Sequence, residues 1–148
     1  MLQKFQFAGV SSLESLAYNI EEEGLIASLI DAKNENVYFS LFNHIEKKYE
    51  KIEEFTADNI FNIINILNQY NDKKITLVGD GVKIYRDIVL DKLKNIKIAK
   101  EICNMQTSVS VGKASFDKYI KGIKGDSNSL IPLYLRKSQA ERALNGEK

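Results

Sequence analysis

The sequence predicts an α/β domain built on a mixed sheet with helices on both faces. Three strand patterns separated by turn residues follow one another over residues 25–55. Helical periodicity then alternates with further strand patterns over residues 56–123. The 148 residues suffice to bury a core. Since no domain boundary or internal repeat is visible, residues 1–148 are predicted to form a single domain ordered β-α-β-β-β-α-β-α-β-α-tail.

Composition excludes several classes of protein. Lys and Arg total 21 against 20 Asp and Glu, so the net charge of +1 lacks the basic surplus of a free-standing nucleic-acid binder. A single cysteine, Cys103, excludes an internal disulfide, and a single histidine, His44, argues against a His-ligated metal centre. No signal-peptide pattern and no membrane-length apolar run is present, so we expect a cytoplasmic protein.

The N-terminal part predicts a short strand at Phe5–Val10 and then a helix. Ser11 and Glu14 stand at capping-box spacing, which indicates the helix start. The apolar stripe at i, i+3, i+4 and i+7 comprises Leu13, Leu16, Ala17 and Ile20. Gly24 stands where a glycine usually ends a helix.

A β-hairpin is predicted next. Leu25–Ile30 is apolar on both faces, which is typical of a central strand covered from both sides. The stretch "AKNEN" has turn composition, and Val37–Phe42 returns as the second strand. Alternating charges in "EKKYEKIEEF" favour a third strand at the sheet edge, where Lys and Glu discourage pairing with other chains.

The second half of the chain predicts helices alternating with strands. The predicted elements are a helix at Thr56–Tyr70, a strand at Lys74–Val78, a helix carrying Val82, Tyr85, Ile88 and Val89, a strand at Ile96–Ala99 and a helix at Thr107–Ile123. "LIPLYLR" is predicted to be extended and "KSQAERAL" to form a terminal helical turn.

The last long helix is expected to place one apolar face on the core. That face comprises Gly112, Phe116, Tyr119, Ile120 and Ile123. Because glycine weakens a helix interior, Gly112 is expected to mark a close approach to a neighbouring element.

Asp31 is the first candidate site residue. It stands at the carboxyl end of the predicted central strand, where open α/β sheets place their sites. Aspartate is equally at home in turns, because its side chain binds nearby backbone amides. Both interpretations stay open from the residues alone, with the turn favoured.

The glycine turn in "LVGDGVKIY" is the second candidate. Gly79, Asp80 and Gly81 connect a strand to a helix, where backbone amides are able to approach a phosphate. The stretch lacks the three-glycine dinucleotide fingerprint and the Gly-Lys-Ser/Thr of a P-loop. A plain tight connection is therefore the favoured interpretation.

A basic cluster near the C-terminus is the third candidate. Arg136, Lys137 and Arg142 offer charges that suit a carboxylate or RNA phosphates. A solvated helix face, partly neutralised by Glu141, is the favoured alternative. Other catalytic patterns are absent: there is no Gly-x-Ser-x-Gly elbow or HExxH motif, and the surroundings of Cys103 and His44 show no nucleophile setting.

Four stretches in order resemble the second half of the TsaB (YeaZ) family, the glycoprotease-like branch of the actin/Hsp70/sugar-kinase superfold. They are "GVSSLESLA" at Gly9–Ala17, "IDAKNENVYFSLF" at Ile30–Phe42, "LVGDGVKIY" at Leu77–Tyr85 and "PLYLRKSQAER" at Pro132–Arg142. The resemblance implies a ribonuclease H-like, actin-like ATPase lobe. It also implies that Gly79, Asp80 and Gly81 are nucleotide-proximal and that Asp31 and Lys33 are hairpin and cleft-rim residues, with Arg136 and Lys137 as further cleft or partner candidates.

The function implied by this resemblance is that of a non-catalytic subunit. TsaB-like proteins support a TsaD-like catalytic paralogue, together with a TsaE-like ATPase, in forming threonylcarbamoyladenosine (t6A) in tRNA. The resemblance implies no catalytic residues or metal ligands, a possible homodimer, indirect contact with tRNA, no membrane, and at most weak ATP or ADP and Mg²⁺ binding in the two-lobe protein.

Family members begin with a strand resembling "ILAIDTS" and a complete first lobe, whereas this sequence starts at "MLQKFQFAGVSS". We therefore expect the chain to correspond to the second, C-terminal lobe. The alternative function is a nucleotide- and Mg²⁺-binding enzyme domain in which the glycine turn holds a phosphate and Asp31 a hydrated Mg²⁺. A third possibility is a self-associating interaction module.

Overall fold

The sheet has five strands in the order β3-β2-β1-β4-β5. A computed structural model describes residues 7–123, 125 and 130–136. The strands are β1 (Gly24–Asp31), β2 (Asn36–Ile45), β3 (Lys48–Asn59), β4 (Ile75–Val78) and β5 (Ile96–Ile98). The first three are antiparallel to one another, while β4 runs parallel to β1 and β5 parallel to β4. The predicted mixed sheet, its hairpin and its charged edge strand are confirmed.

Helices cover both faces of the sheet, as predicted. They are α1 (Ser12–Ala17), α2 (Ile60–Asn68), α3 (Asp80–Ile84), α4 (Arg86–Lys92) and α5 (Ser108–Ile120), with a 3-10 turn at Glu101–Asn104. Alternation along β1 divides the core in two. Leu25, Ala27 and Leu29 pack with α2, α3 and α4, whereas Ile26 packs with α1 on the opposite face. Strand β1 is thus the central strand, covered from both sides.

The first helix is shorter than the apolar stripe predicts. The capping box is confirmed, because the Glu14 amide donates to Ser11 Oγ at 3.1 Å and the Ser11 amide donates back to the Glu14 carboxylate. The helix nevertheless ends at Ala17. Asn19 Nδ2 donates to the carbonyls of Cys103 and Met105, so tertiary hydrogen bonds draw the chain away from the helix. Gly24 begins β1 instead of ending a helix, which corrects that prediction.

Two later helices also differ from their predicted spans. Strand β3 pairs with β2 as far as Asn59, and this residue caps α2 by accepting the Phe61 amide at 3.0 Å. Thr56 and the residues up to Asn59 therefore belong to β3, and α2 begins later than predicted. The helix predicted after the glycine turn divides at Tyr85, whose φ of −101° and ψ of 15° are not helical.

The orientation of α5 contradicts the prediction. Its buried residues are Ser110 and Ala114, whereas Phe116 and Ile120 are each 63% exposed. A Cβ placed on Gly112 would meet no atom of the described residues within 4 Å, so this glycine marks no close approach to the part of the chain that the structure describes. Helix α1 already covers that face of the sheet, and α5 packs on α1 through polar side chains.

Some predictions at the chain ends lie outside the described residues. The strand predicted at Phe5–Val10 falls there in part, and Phe7 forms only an isolated antiparallel bridge to Gly125. The terminal helical turn predicted at residues 137–144, with Lys137 and Arg142, lies wholly outside. No helix in the described part of the chain is long and apolar enough to cross a membrane.

Candidate functional site

The candidate site lies at the carboxyl ends of two parallel neighbours, β1 and β4. Ser28 of β1 stands opposite Val78 of β4, so the chain leaves both strands at the same edge of the sheet. Beyond this edge come the hairpin turn after Asp31 and the glycine turn before α3. These two connections bring together the sequence-predicted residues Asp31, Lys33, Gly79, Asp80 and Gly81.

The Asp31 carboxylate is enclosed by donors from its own chain. Its side chain is only 6% exposed, and Oδ2 lies 2.6 Å from Lys33 Nζ. Its Oδ1 accepts the Lys33 amide at 3.0 Å and the Tyr85 hydroxyl at 3.4 Å. The ammonium, the amide and the phenol satisfy most of the acceptor capacity of this carboxylate.

The hairpin turn accounts for the position of Lys33. Lys33, Asn34 and Glu35 all have positive φ, at 63°, 53° and 58°. Three consecutive left-handed residues fold the chain back so that the Lys33 amide and ammonium both reach the same carboxylate. Asp31 therefore behaves as the turn-forming residue that the sequence favoured.

The glycine turn is tied to β1 and to the 3-10 turn. Asp80 Oδ1 accepts the Asp31 amide at 3.1 Å, and the Gly79 amide donates to Asn104 Oδ1 at 2.9 Å. One amide of the turn, which a phosphate would otherwise use, is thus occupied by a side chain.

The two glycines allow the turn to pack directly against β1. A Cβ on Gly79 would lie 2.1 Å from the Leu29 carbonyl oxygen, and one on Gly81 would lie 3.1 Å from the same atom. Gly79 also has φ 114° and ψ 168°, a region open in practice only to glycine. Close approach of backbone to backbone therefore accounts for both glycines. The nucleotide-proximal role of this turn stays a prediction.

Arg136 reaches the same edge of the sheet from the C-terminal segment. Its Nη1 donates to the Ala32 carbonyl oxygen at 2.6 Å, directly beside Asp31. Arg136 also lines a cavity of about 420 Å³, whose other polar side chains are Ser11, Ser12, Tyr38 and Tyr134. Lys137, predicted to act with Arg136, lies outside the described residues.

The ion pair between Asp31 and Lys33 determines the protonation states of these two groups. Burial of the Asp31 carboxyl opposes ionisation, but the hydrogen bonds from the ammonium and amide of Lys33 outweigh it and lower the pKa of Asp31 below its usual 3.8. The bond to Asp31 likewise raises the pKa of Lys33. Both groups are therefore charged at neutral pH, and neither is poised for proton transfer there.

Replacing Asp31 with asparagine is expected to flatten the acid dependence of stability. Because the pKa of Asp31 is lower in the folded than in the unfolded protein, ionised Asp31 stabilises the fold at every pH above its unfolded-state pKa. This stabilisation is lost as the pH falls through the folded-state pKa. Asp31→Asn should lower the free energy of unfolding by about 1–3 kcal/mol at pH 7, and the difference from wild type should shrink below pH ~4. Urea unfolding between pH 2.5 and 7 measures this, with Asp91→Asn, whose side chain is 78% exposed, as control. A constant difference at every pH would contradict it.

The remaining titratable groups form no second site among the described residues. His44 is buried, stacks on Tyr49 with ring centroids 4.1 Å apart, and places Nδ1 3.0 Å from the Glu22 carbonyl oxygen. Cys103 packs against the α1 side of the core. Within the described ranges, no group of three or more His, Cys, Asp or Glu side chains stands ready to hold a metal ion.

Sequence reasoning missed two contributors to the site. Tyr85 was assigned only to an apolar helix face, yet its hydroxyl faces Asp31. A tyrosine on an apolar stripe carries a polar end that needs a partner when buried, which is the signal that was available. Asn104 lies in the 3-10 turn and reaches Gly79 from a distant part of the sequence. Nothing local in "EICNM" indicated this contact.

Comparison with known proteins identifies a family and a fold for this chain. The family model of TsaD, described as tRNA N6-adenosine threonylcarbamoyltransferase, matches residues 2–144. No curated protein sequence matches the chain. A Pseudomonas aeruginosa structure described as an uncharacterized protein with similarity to peptidase YeaZ is similar with a TM-score of 0.65 and 15% identity over 86% of this chain.

A second structure, YeaZ from Pseudomonas aeruginosa, is similar with a TM-score of 0.60 and 14% identity over 85% of this chain. The chain spans 57% of the length of each of these two solved chains. The five-stranded mixed sheet thus has the YeaZ-like, actin-like ATPase fold. Because the family model covers nearly the whole sequence, the chain belongs to the family described as TsaD, tRNA N6-adenosine threonylcarbamoyltransferase.

Proposed function

We propose that this chain is a non-catalytic TsaB-like subunit that supports a TsaD-like enzyme in forming t6A in tRNA. The family match supports the connection with tRNA modification. The state of Asp31 supports the non-catalytic role. This carboxylate, the best-placed acid at the carboxyl end of the sheet, is 6% exposed and held by Lys33.

The chemistry of the described residues agrees with a supporting role. A general acid or base must exchange a proton near neutral pH, whereas the pKa of Asp31 is lowered from 3.8. His44 is buried, stacks on Tyr49 and places Nδ1 3.0 Å from the Glu22 carbonyl oxygen, whereas Cys103 packs against the α1 side of the core. The partners proposed are a TsaD-like paralogue and a TsaE-like ATPase, with tRNA contacted indirectly and the reaction located in the cytoplasm.

Reconstituted tRNA modification tests this role. A radiolabelled threonylcarbamoyl group, supplied on an activated donor with a leaving group, would be transferred to tRNA by purified TsaD-like and TsaE-like proteins, with and without the 148-residue chain. We expect incorporation to rise at least ~10-fold when the chain is added, and the chain alone to transfer nothing. Asp31→Asn, used at a temperature where it is folded, should retain incorporation within about threefold, because removing a general acid or base costs ~10²–10⁴-fold.

Two outcomes would contradict the proposal. Incorporation that does not depend on the chain would exclude the supporting role. Loss of more than ~100-fold in a folded Asp31→Asn would make Asp31 catalytic. A calorimetric titration with Mg-ATP addresses the alternative directly: sub-micromolar affinity that Asp31→Asn abolishes would favour a nucleotide-binding enzyme in place of the proposed subunit.

A further inference from the structure

Two neighbouring cavities lie between the start of α1, strands β1 to β3 and the C-terminal segment 130–136. The first has a volume of about 420 Å³ and the second of about 740 Å³. Val10, Ser11, Phe55 and Leu133 line both cavities. Because the two cavities adjoin at these residues, we treat them as one space and term it the C-terminal groove. Both volumes lie within the ~300–1,000 Å³ range of small-molecule sites.

The walls of the C-terminal groove are mainly apolar. On the sheet side, Ile30 and Phe55 pack against the core beneath α1, so this wall belongs to the rigid part of the fold. On the other side, Leu130, Ile131 and Leu133 of the C-terminal segment are exposed to solvent. An apolar ligand in the groove would remove part of this surface from water, which favours binding.

A single cation lies at the end of the groove that is next to the β1–β2 hairpin. Arg136 lines the first cavity, and its Nη1 donates to the Ala32 carbonyl oxygen at 2.6 Å. This bond holds the guanidinium in place and uses one of its five N–H donors. No other described residue that lines the first cavity carries a charge. This end of the groove therefore favours one negative charge on a ligand.

Tyr38 adds a second hydrogen-bond donor to the first cavity. It stands opposite Ile30 in the pairing of β1 with β2, and both residues line this cavity. The Tyr38 hydroxyl makes no hydrogen bond within the part of the chain that the structure describes. A partly buried tyrosine usually finds a partner for its hydroxyl. A ligand carboxylate would supply that partner.

The charged groups of the second cavity are paired within the chain. Lys118 Nζ lies 2.6 Å from the Glu14 carboxylate and donates to the Gly9 carbonyl oxygen at 2.6 Å. These two side chains are the charged residues among those described as lining this cavity. Because they satisfy each other, this part of the groove suits the uncharged, apolar portion of a ligand.

We propose that the C-terminal groove binds a small monocarboxylate with an unbranched aliphatic chain. The carboxylate lies at Arg136 and Tyr38, and the chain extends past Val10 toward the second cavity. A phosphate monoester suits the groove less well, because its charge of about −1.5 to −2 and its three acceptor oxygens need more than one cation. This binding is independent of the role proposed in tRNA modification.

Calorimetric titration of the 148-residue chain with butanoate and octanoate tests the class of ligand. We expect one octanoate molecule to bind per chain, with a Kd below ~1 mM. Octanoate should bind at least ~10-fold more tightly than butanoate, because each fully buried methylene tightens binding by about fourfold. This comparison needs no change in the protein.

Arg136→Gln tests the position of the carboxylate. The variant should bind octanoate at least ~10-fold more weakly, because hydrogen bonds to a charged group are lost. Its affinity for 1-octanol, which carries no charge, should stay within about twofold of the wild-type value. The matched control Arg86→Gln changes an exposed arginine of α4 and should bind octanoate as wild type does. Circular dichroism verifies that both variants fold.

Val10→Phe tests the path of the aliphatic chain independently of Arg136. Val10 lines both cavities, so a larger side chain there narrows the passage between them. The affinity for octanoate should fall at least ~5-fold, because the end of its chain is no longer buried. Butanoate is short enough to stay beside Arg136, and its affinity should change by less than about twofold.

Each opposite result overturns the proposal. Absence of octanoate binding up to ~10 mM would exclude this class of ligand. Several octanoate molecules per chain, or an unchanged affinity in folded Arg136→Gln, would show nonspecific binding to apolar surface. An unchanged octanoate affinity in Val10→Phe would place the aliphatic chain outside the groove.

Discussion

Replacing Gly79 with alanine is expected to lower the free energy of unfolding by about 2–6 kcal/mol. This sum combines ~1–3 kcal/mol for a side chain in a glycine-only backbone region with a similar amount for overpacking. The added methyl would stand 2.1 Å from the Leu29 carbonyl oxygen. Leu29 belongs to the central strand, pairs with Phe39 of β2 and directly follows the stretch of β1 that pairs with β4, so moving it aside would disturb the sheet. Guanidinium unfolding measures the loss.

Gly112→Ala is the matched control for this prediction. Gly112 lies within α5 and has open space around its Cα. Alanine there should raise the free energy of unfolding by about 0.5–1 kcal/mol, because glycine in a helix interior costs that much. If Gly79→Ala proved as stable as wild type, the close approach of the glycine turn to β1 would be wrong.

Replacing Phe39 with alanine is expected to cost about 3–5 kcal/mol, the range found when a buried phenylalanine is truncated. Phe39 is 0% exposed and packs in the larger core cluster between the sheet and α2. Truncation removes ring contacts and leaves a cavity that neighbouring strands are too constrained to fill. Chemical unfolding followed by circular dichroism measures the loss.

Phe61→Ala provides the control with the same chemical change. Phe61 lies on the outer side of α2 and is 42% exposed. Its truncation should cost less than half as much as that of Phe39. Equal losses in the two variants would mean that Phe39 is not a core residue, and would place the centre of packing elsewhere in the sheet.

The candidate site was predictable in part. The position of Asp31 at the end of a central strand followed from an apolar stretch interrupted by turn residues. The contact of its carboxylate with the Tyr85 hydroxyl did not follow, because the two residues are 54 positions apart and meet only through folding. The glycine turn was recognised, but its sequence suits both a phosphate loop and a tight connection.

The prediction that the apolar face of α5 packs on the core was wrong, and the structure shows the physical reason. Apolar residues at helical spacing predict that a helix has an apolar face, but they do not predict which part of the protein packs against that face. Helix α1 occupies the second face of the sheet through Leu16 and Ala17. Ser110, Asp117 and Lys118 then bind α1 more favourably than apolar groups would, since the polar side chains of α1 need partners.

By itself the sequence determined the hairpin, the central and edge strands, the cap at Ser11 and the family. These depend on contacts within a few residues or on the two-residue alternation of a strand. Only the tertiary structure decided that the apolar stripe of α5 faces away from α1, that Gly79 must accommodate Leu29, and that the Tyr85 hydroxyl reaches Asp31. Each of these joins residues far apart in the chain, and local periodicity carries no information about such distances.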